Sequence, residues 1–207
     1  MAYSDFTLDM VETQFGLDTD DASNYFAAVP PAVLSDNLRR YLEKYTQLAL
    51  RSGSEKARSE FIITPIMLEV LEQYPPGFGL FSGMDFSPDP FRHLCGYCDF
   101  MLTFAPESPI IRAPVVTIAE AKRNDISTGL GPCVAQMVAA QVFNEARNSV
   151  LPVIYGVVTT GTTWRFLRLI GKTVYMDRTE YYLKEADKIV GILLAMLHEA
   201  AASRPTA

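Results

Sequence analysis

The stretch Val115-Val116-Thr117-Ile118-Ala119-Glu120-Ala121-Lys122 constrains this chain more than any other part of it. Successive strand side chains alternate between the faces of a sheet, and here both faces are apolar until the last few residues. Such a strand belongs in the middle of a sheet covered on both sides, which calls for helices on its faces and an α/β architecture. The run then ends in Glu120 and Lys122, two residues apart and so on one face. An ionised carboxylate at the end of a buried strand must be paired or metal-bound.

The pattern around this strand predicts the order α-α-β-β-β-α-β-β-β-α. Leu38, Tyr41, Leu42, Tyr45 and Ala49 recur at helical spacing behind an N-cap at Ser35 or Asp36, and Gly53 ends that helix. A second helix begins near Ser54 or Glu55, with Pro65 expected to kink it and Pro75-Pro76-Gly77 to stop it. Strands follow over Leu80 to Phe86 and Tyr97 to Phe104. In the latter Cys98, Phe100, Leu102 and Phe104 make one apolar face and leave Asp99 on the other. A connection bearing Pro106, Pro109 and Pro114 leads into the central strand, after which Gly129-Leu130-Gly131-Pro132 reads as a turn opening an Ala-rich helix from about Gly131 to Asn148. Strands over Val153–Thr159, Trp164–Leu169 and Thr173–Met176 and a helix over Lys184–Ala201 complete the chain. Residues 1–32 show no sustained period and read as a loosely packed N-terminal arm with room for a short helix, with residues 33–207 as one domain.

Asp99 lies on the strand before the Glu-x-Lys strand. Folding the connection about Ile110 sets it opposite Ala121, and a slip of one position either way brings it to the face of Glu120 and Lys122. Two carboxylates and a lysine at a sheet edge suit phosphodiester hydrolysis. Oxygen ligands hold Mg²⁺ or a similar hard cation, with the Ala121 carbonyl as an extra ligand, and a lysine stabilises added negative charge or orients the water.

Gly96-Tyr97-Cys98-Asp99, then Glu120-Ala121-Lys122, then a helix bearing Gln136 resembles the PD-(D/E)xK nuclease superfamily. The resemblance implies a restriction-endonuclease-like mixed β-sheet with an α-β-β-β-α-β core, here about residues 55–159, with a C-terminal hairpin and helix over 160–201. It implies a metal-dependent nuclease using Mg²⁺ or Mn²⁺, with DNA rather than RNA as the expected nucleic acid. Asp99 and Glu120 become metal ligands and Lys122 the water-positioning or charge-stabilising group. A carboxylate from the first core helix is expected as well, Glu60 first and Glu55 in reserve, with Gln136 as a further site residue. The residue before Asp99 is Cys98 where the family motif has proline. The alternative is a non-catalytic binding or assembly subunit that keeps this fold.

Composition bears on these readings. A net charge of −6 is unlike that of a general nucleic-acid coat protein, so contact with phosphates needs a local basic patch, a bound cation or a larger assembly. Arg51, Lys56, Arg58, Arg92 and Arg123 flank the site in sequence and either guide a phosphate backbone or form a solvated face. Three cysteines argue against a secreted disulfide framework. Cys95 and Cys98 form a CxxC that lacks the second pair of a structural zinc site, and His93 and His198 are too few for a histidine-based scheme. No secretory leader or membrane span is expected, and the location expected is cytoplasmic. Trp164 and Phe166 read as packing. The apolar stripe Ile189, Ile192, Leu193, Met196 and Leu197 either docks on the sheet or makes a homodimer contact.

Overall fold

A single mixed, open sheet organises the chain. The computed structural model describes residues 1–203 except Pro76, Pro106 and Glu107. Two prolines of the expected turns, Pro76 and Pro106, and the last four residues of the expected domain, 204–207, therefore lie outside the described residues. In chain order the elements are helix α1 (Leu8–Phe15), strand β1 (Asp18–Asp20), helices α2 (Asp36–Ser52), α3 (Glu55–Arg58) and α4 (Thr64–Gln73), strands β2 (Gly79–Asp85), β3 (Tyr97–Thr103) and β4 (Val115–Ala121), helix α5 (Ser127–Glu145), strands β5 (Ile154–Thr159), β6 (Thr163–Ile170), β7 (Thr173–Met176) and β8 (Tyr181–Tyr182), and helix α6 (Ala186–Ala202). The sheet runs β1-β7-β6-β5-β4-β3-β2, with β8 on β6. Its β4–β5 and β1–β7 pairs are parallel and the others antiparallel.

β4 lies between β3 and β5 and is buried at all seven positions, as its apolar faces require. α5 is the crossover between the parallel strands β4 and β5. Gly156 turns toward it, because a Cβ there would stand 2.4 Å from Met137 Sδ and 3.0 Å from Cys133 Sγ. The next side chain, Tyr155, is buried beside Glu199 of α6. Alternation along β5 thus puts α5 and α6 on opposite faces. Ile189, Ile192, Leu193, Met196 and Leu197 are all buried within the chain, so the α6 stripe docks internally. Trp164 and Phe166 are fully buried too, the former donating from Nε1 to the Gly161 carbonyl at 3.0 Å.

Three local expectations need correction. The kink expected at Pro65 is a π-helical segment, Ser59–Ile63, between α3 and α4. Proline lacks the amide for the usual bond and crowds the carbonyl four residues back, and the wider turn accommodates both. Gly129-Leu130-Gly131-Pro132 is no turn, since α5 begins at Ser127 and contains it. The glycines serve close packing: a Cβ on Gly129 would lie 2.5 Å from Val158 Cγ1, and one on Gly131 would lie 2.3 Å from the Phe6 carbonyl oxygen. Finally, the N-terminal residues are packed, not loose. Tyr3, Phe6, Val11 and Phe15 are buried, the Tyr3 hydroxyl donates to the Phe86 carbonyl at 2.6 Å, and β1 extends the sheet beside β7. Their apolar residues are spread over short elements, so no long period betrays them.

Candidate active site

The candidate site forms where β3 and β4 part company. The ladder pairs Phe100 with Ala119, and one step further out Asp99 stands level with Glu120. This is the one-residue slip from the simple fold-back register, the slip that brings Asp99 to Glu120 and Lys122. The ladder does not continue with backbone bonds there: the Ala121 amide donates to Asp99 Oδ2 at 2.8 Å. On the other side Lys122 N donates to the Thr159 carbonyl of β5 at 2.8 Å, which holds the start of the loop after β4 against the sheet.

Glu120 is the most buried of the charged trio, at 6% exposure. Lys122 Nζ reaches its Oε1 at 2.6 Å, and Gln136 Nε2 of α5 reaches its Oε2 at 2.7 Å. Gln136 is itself 1% exposed and its Oε1 finds no partner among the described residues. Burial raises the Glu120 carboxyl above its ordinary range, and the neighbouring Asp99 charge raises it further, against the pull of Lys122 and Gln136. Asp99 is also raised, chiefly by burial and also by Glu55, with the Ala121 amide and Lys122 opposing. Burial works against the Lys122 ammonium, yet Glu120, Glu55 and Asp99 outweigh it and hold the lysine firmly protonated. Two carboxylates that each disfavour the other's charge gain from any cation placed between them.

A cavity of about 270 Å³ opens beside Asp99, lined on the helix side by Glu55, Lys56, Ser59 and Glu60 and on the sheet side by Ser82 and Gly83. Gly83 is the β2 residue level with Asp99, between the pairs Ser82–Phe100 and Met84–Cys98. It has φ of 62° and nothing within 4 Å of where a Cβ would be, so the flank of Asp99 stays open. Both Glu55 and Glu60 line this cavity. Glu60 is exposed and paired with Lys56 at 2.9 Å, whereas the charge that bears on Asp99 and Lys122 is that of Glu55. Helical period cannot separate the two, because the π segment between them changes the turn.

Of the flanking basic residues, Arg58 is committed to the turn after β5, donating to the Thr160 carbonyl at 2.9 Å, and Arg92 is paired with Asp89 at 2.6 Å. Arg51 and Arg123 are exposed and carry no ion pair among the described residues. Arg123 lies at the α2–α3 junction, where a Cβ on Gly53 would be 3.6 Å from its Nη2. The CxxC has little chemistry available. Cys98 is fully buried and its thiol is pushed far up by burial and by Glu120 and Asp99, and Cys95 donates weakly to the Met1 carbonyl at 3.6 Å. His93 is exposed in a left-handed turn, and His198 lies against the Tyr74 ring, 4.8 Å between centroids.

Among the described residues no group of three or more His, Cys, Asp and Glu side chains could hold a metal ion. The oxygen donors at the site are the Asp99 and Glu120 carboxylates and the Ala121 carbonyl. In a strand the N–H and C=O of one residue point to the same neighbour. The Ala121 carbonyl therefore faces the side on which its amide meets Asp99. Asp99 Oδ1 has no hydrogen-bond partner among the described residues. Oxygen donors with mutual charge repulsion fit a hard cation that keeps several waters. Sequence reasoning missed the exposed Tyr97, although it stands two positions before Asp99, the spacing that returns a strand side chain to the same face. No helix among the described residues is long and apolar enough to cross a membrane. Compared with protein-family models, with curated proteins and with solved structures, the chain matches none.

Proposed function

We propose that this chain is a metal-dependent phosphodiesterase of the PD-(D/E)xK nuclease type, acting on nucleic acid and on DNA in the first instance. The observation that carries the reading is the meeting of Asp99, Glu120 and Lys122 at the parting of two adjacent strands, with Gln136 of the following helix locked onto Glu120. The run of α4, β2, β3, β4, α5 and β5 in one sheet supports a restriction-endonuclease-like core around them.

Asp99, Glu120 and the Ala121 carbonyl are the groups that would hold Mg²⁺ or Mn²⁺. When bound, the cation supplies a Lewis acid for the phosphodiester and lowers the pKa of the attacking water. The protein's own part is preorganisation. The Ala121 amide fixes one oxygen of Asp99 and leaves the other directed elsewhere. Gln136 fixes the orientation of Glu120. Lys122, kept protonated by three carboxylates, offers its charge to the negative charge that builds on the phosphate, where a low-dielectric surrounding makes it count for more. Arg51 and Arg123 make no ion pair among the described residues and remain for the phosphate backbone.

A second reading, a binding or assembly subunit without turnover, is favoured by one observation. Both Glu120 oxygens are already engaged, and Glu55 and Glu60 make the adjoining cavity acidic. The two separate in one experiment. Divalent-dependent cleavage of linear and plasmid DNA that disappears in Asp99→Ala and Lys122→Ala proteins supports the enzyme. Manganese bound in stoichiometric amount with no turnover on DNA or RNA supports the subunit.

A further inference from the structure

β3 is buried from Cys98 to Thr103 apart from the half-buried Asp99, yet its first residue, Tyr97, is 72% exposed. The ring makes no hydrogen bond and no aromatic or cation contact among the described residues. Exposure alone would not single it out, because Phe91 in the β2–β3 connection is exposed to 98%. Position does. Tyr97 precedes Asp99 by two residues, the period that returns a strand side chain to one face. The β3–β4 ladder ends at Phe100 and Ala119, and Tyr97 and Lys122 both lie beyond it, at the end of the sheet where Asp99 and Glu120 meet. Tyr97 and Asp99 thus share one face of β3 at the end of the sheet that also carries Glu120 and Lys122. On its other side Tyr97 pairs with Asp85 of β2, which adds charge but no cover.

We propose that Tyr97 sets the substrate class of this site, its ring serving as a stacking platform for an unpaired base next to the scissile phosphate, so that single-stranded or frayed nucleic acid is taken in preference to intact duplex. The inference rests on the phosphodiesterase reading of Asp99, Glu120 and Lys122. A free aromatic face binds any base of a single strand, whatever its identity. In an intact duplex the base faces are already stacked on their neighbours, and such a platform has nothing to receive. A ring fixed at strand spacing from the carboxylates also sets the register of the strand, because the base it holds fixes which phosphate lies at Lys122.

The test measures binding of a fluorescent single-stranded oligonucleotide bearing 2-aminopurine, and of the same sequence as blunt duplex, with Ca²⁺ present. Tyr97→Ala, Tyr97→Phe and Tyr97→Trp proteins are compared with the native protein. The native protein is expected to bind the single strand more tightly than the duplex and to quench the 2-aminopurine. Tyr97→Ala is expected to weaken single-strand binding by about 5- to 100-fold and to abolish the quenching. Phenylalanine and tryptophan are expected to retain both, which a merely structural role for the hydroxyl would not allow. Duplex bound as tightly as single strand, or unchanged single-strand binding in Tyr97→Ala, overturns the proposal. If cleavage still depends on Asp99 and Lys122 in that case, the phosphodiesterase reading survives it. A native protein that binds and cleaves neither oligonucleotide overturns both.

Discussion

Gln136 Nε2 donates to Glu120 Oε2 at 2.7 Å while Gln136 Oε1, equally deep in the protein, meets no partner among the described residues. One end of a buried amide is thus used to orient a carboxylate and the other end is left unsatisfied. A purely structural residue would give no reason for such an arrangement, because an orphaned buried acceptor costs about 1–3 kcal/mol.

Gln136→Met is therefore expected to change stability by no more than about 1 kcal/mol. It loses a hydrogen bond to a charged group, worth roughly 1.5–3 kcal/mol, but also removes the orphan at similar volume. With one donor gone, Glu120 rises further, and the acid limb of any pH–rate profile moves to higher pH. Urea unfolding and a pH–rate series read the two effects separately, and a large loss of stability would count against this account.

Asp99 and Glu120 are both raised by burial, and the sign of the linkage follows. A carboxyl whose folded pKa lies above its unfolded value, about 4, binds more protons folded than unfolded, so stability falls as pH climbs from that value through the folded pKa. At neutral pH the buried charge of these two carboxyls is destabilising. Asp99→Asn is expected to melt higher than the native protein at pH 7, with the difference shrinking toward pH 4. Melting curves in matched buffers check this, and a lower melting temperature at pH 7 would contradict it.

A divalent cation should reverse that penalty in the native protein. Ligand at about 100 times its dissociation constant stabilises by roughly 2.7 kcal/mol. Thermal denaturation is expected to show Mg²⁺ or Mn²⁺ raising the melting temperature of the native chain and leaving a double Asp99→Asn, Glu120→Gln protein unmoved. Equal shifts in both proteins would place the cation elsewhere.

Gly129 packs against both Val158 and Lys122, where a Cβ would lie 2.5 Å from Val158 Cγ1 and 3.0 Å from Lys122 Cγ. Alanine would gain about 0.5–1 kcal/mol in a helix interior, but overpacking costs about 1–3 kcal/mol. Gly129→Ala is expected to be destabilised by roughly 1–2 kcal/mol and, with Lys122 displaced, to lose activity out of proportion to its stability. Chemical denaturation alongside cleavage rates tests the split.

The central strand, its covering helices and the neighbourhood of Asp99, Glu120 and Lys122 were legible in the sequence, because alternation and helical period are local properties that a few side chains declare. Ser35 and Gly53 mark their helix ends as expected, with Ser35 Oγ accepting from Leu38 N at 3.1 Å and Gly53 in the left-handed region at φ of 64°. Tertiary structure alone decided the rest. The register that sets Asp99 level with Glu120 depends on the course of the connection between β3 and β4, and a single residue of slip reverses a side chain. The glycines of α5 look like a turn until Val158 and the Phe6 carbonyl are seen to press on them. Whether Glu55 or Glu60 bears on the site depends on a π turn that no helical period encodes. Local pattern comes from each residue's own chemistry, whereas these choices come from contacts between residues far apart in the chain, and only the packed fold fixes them.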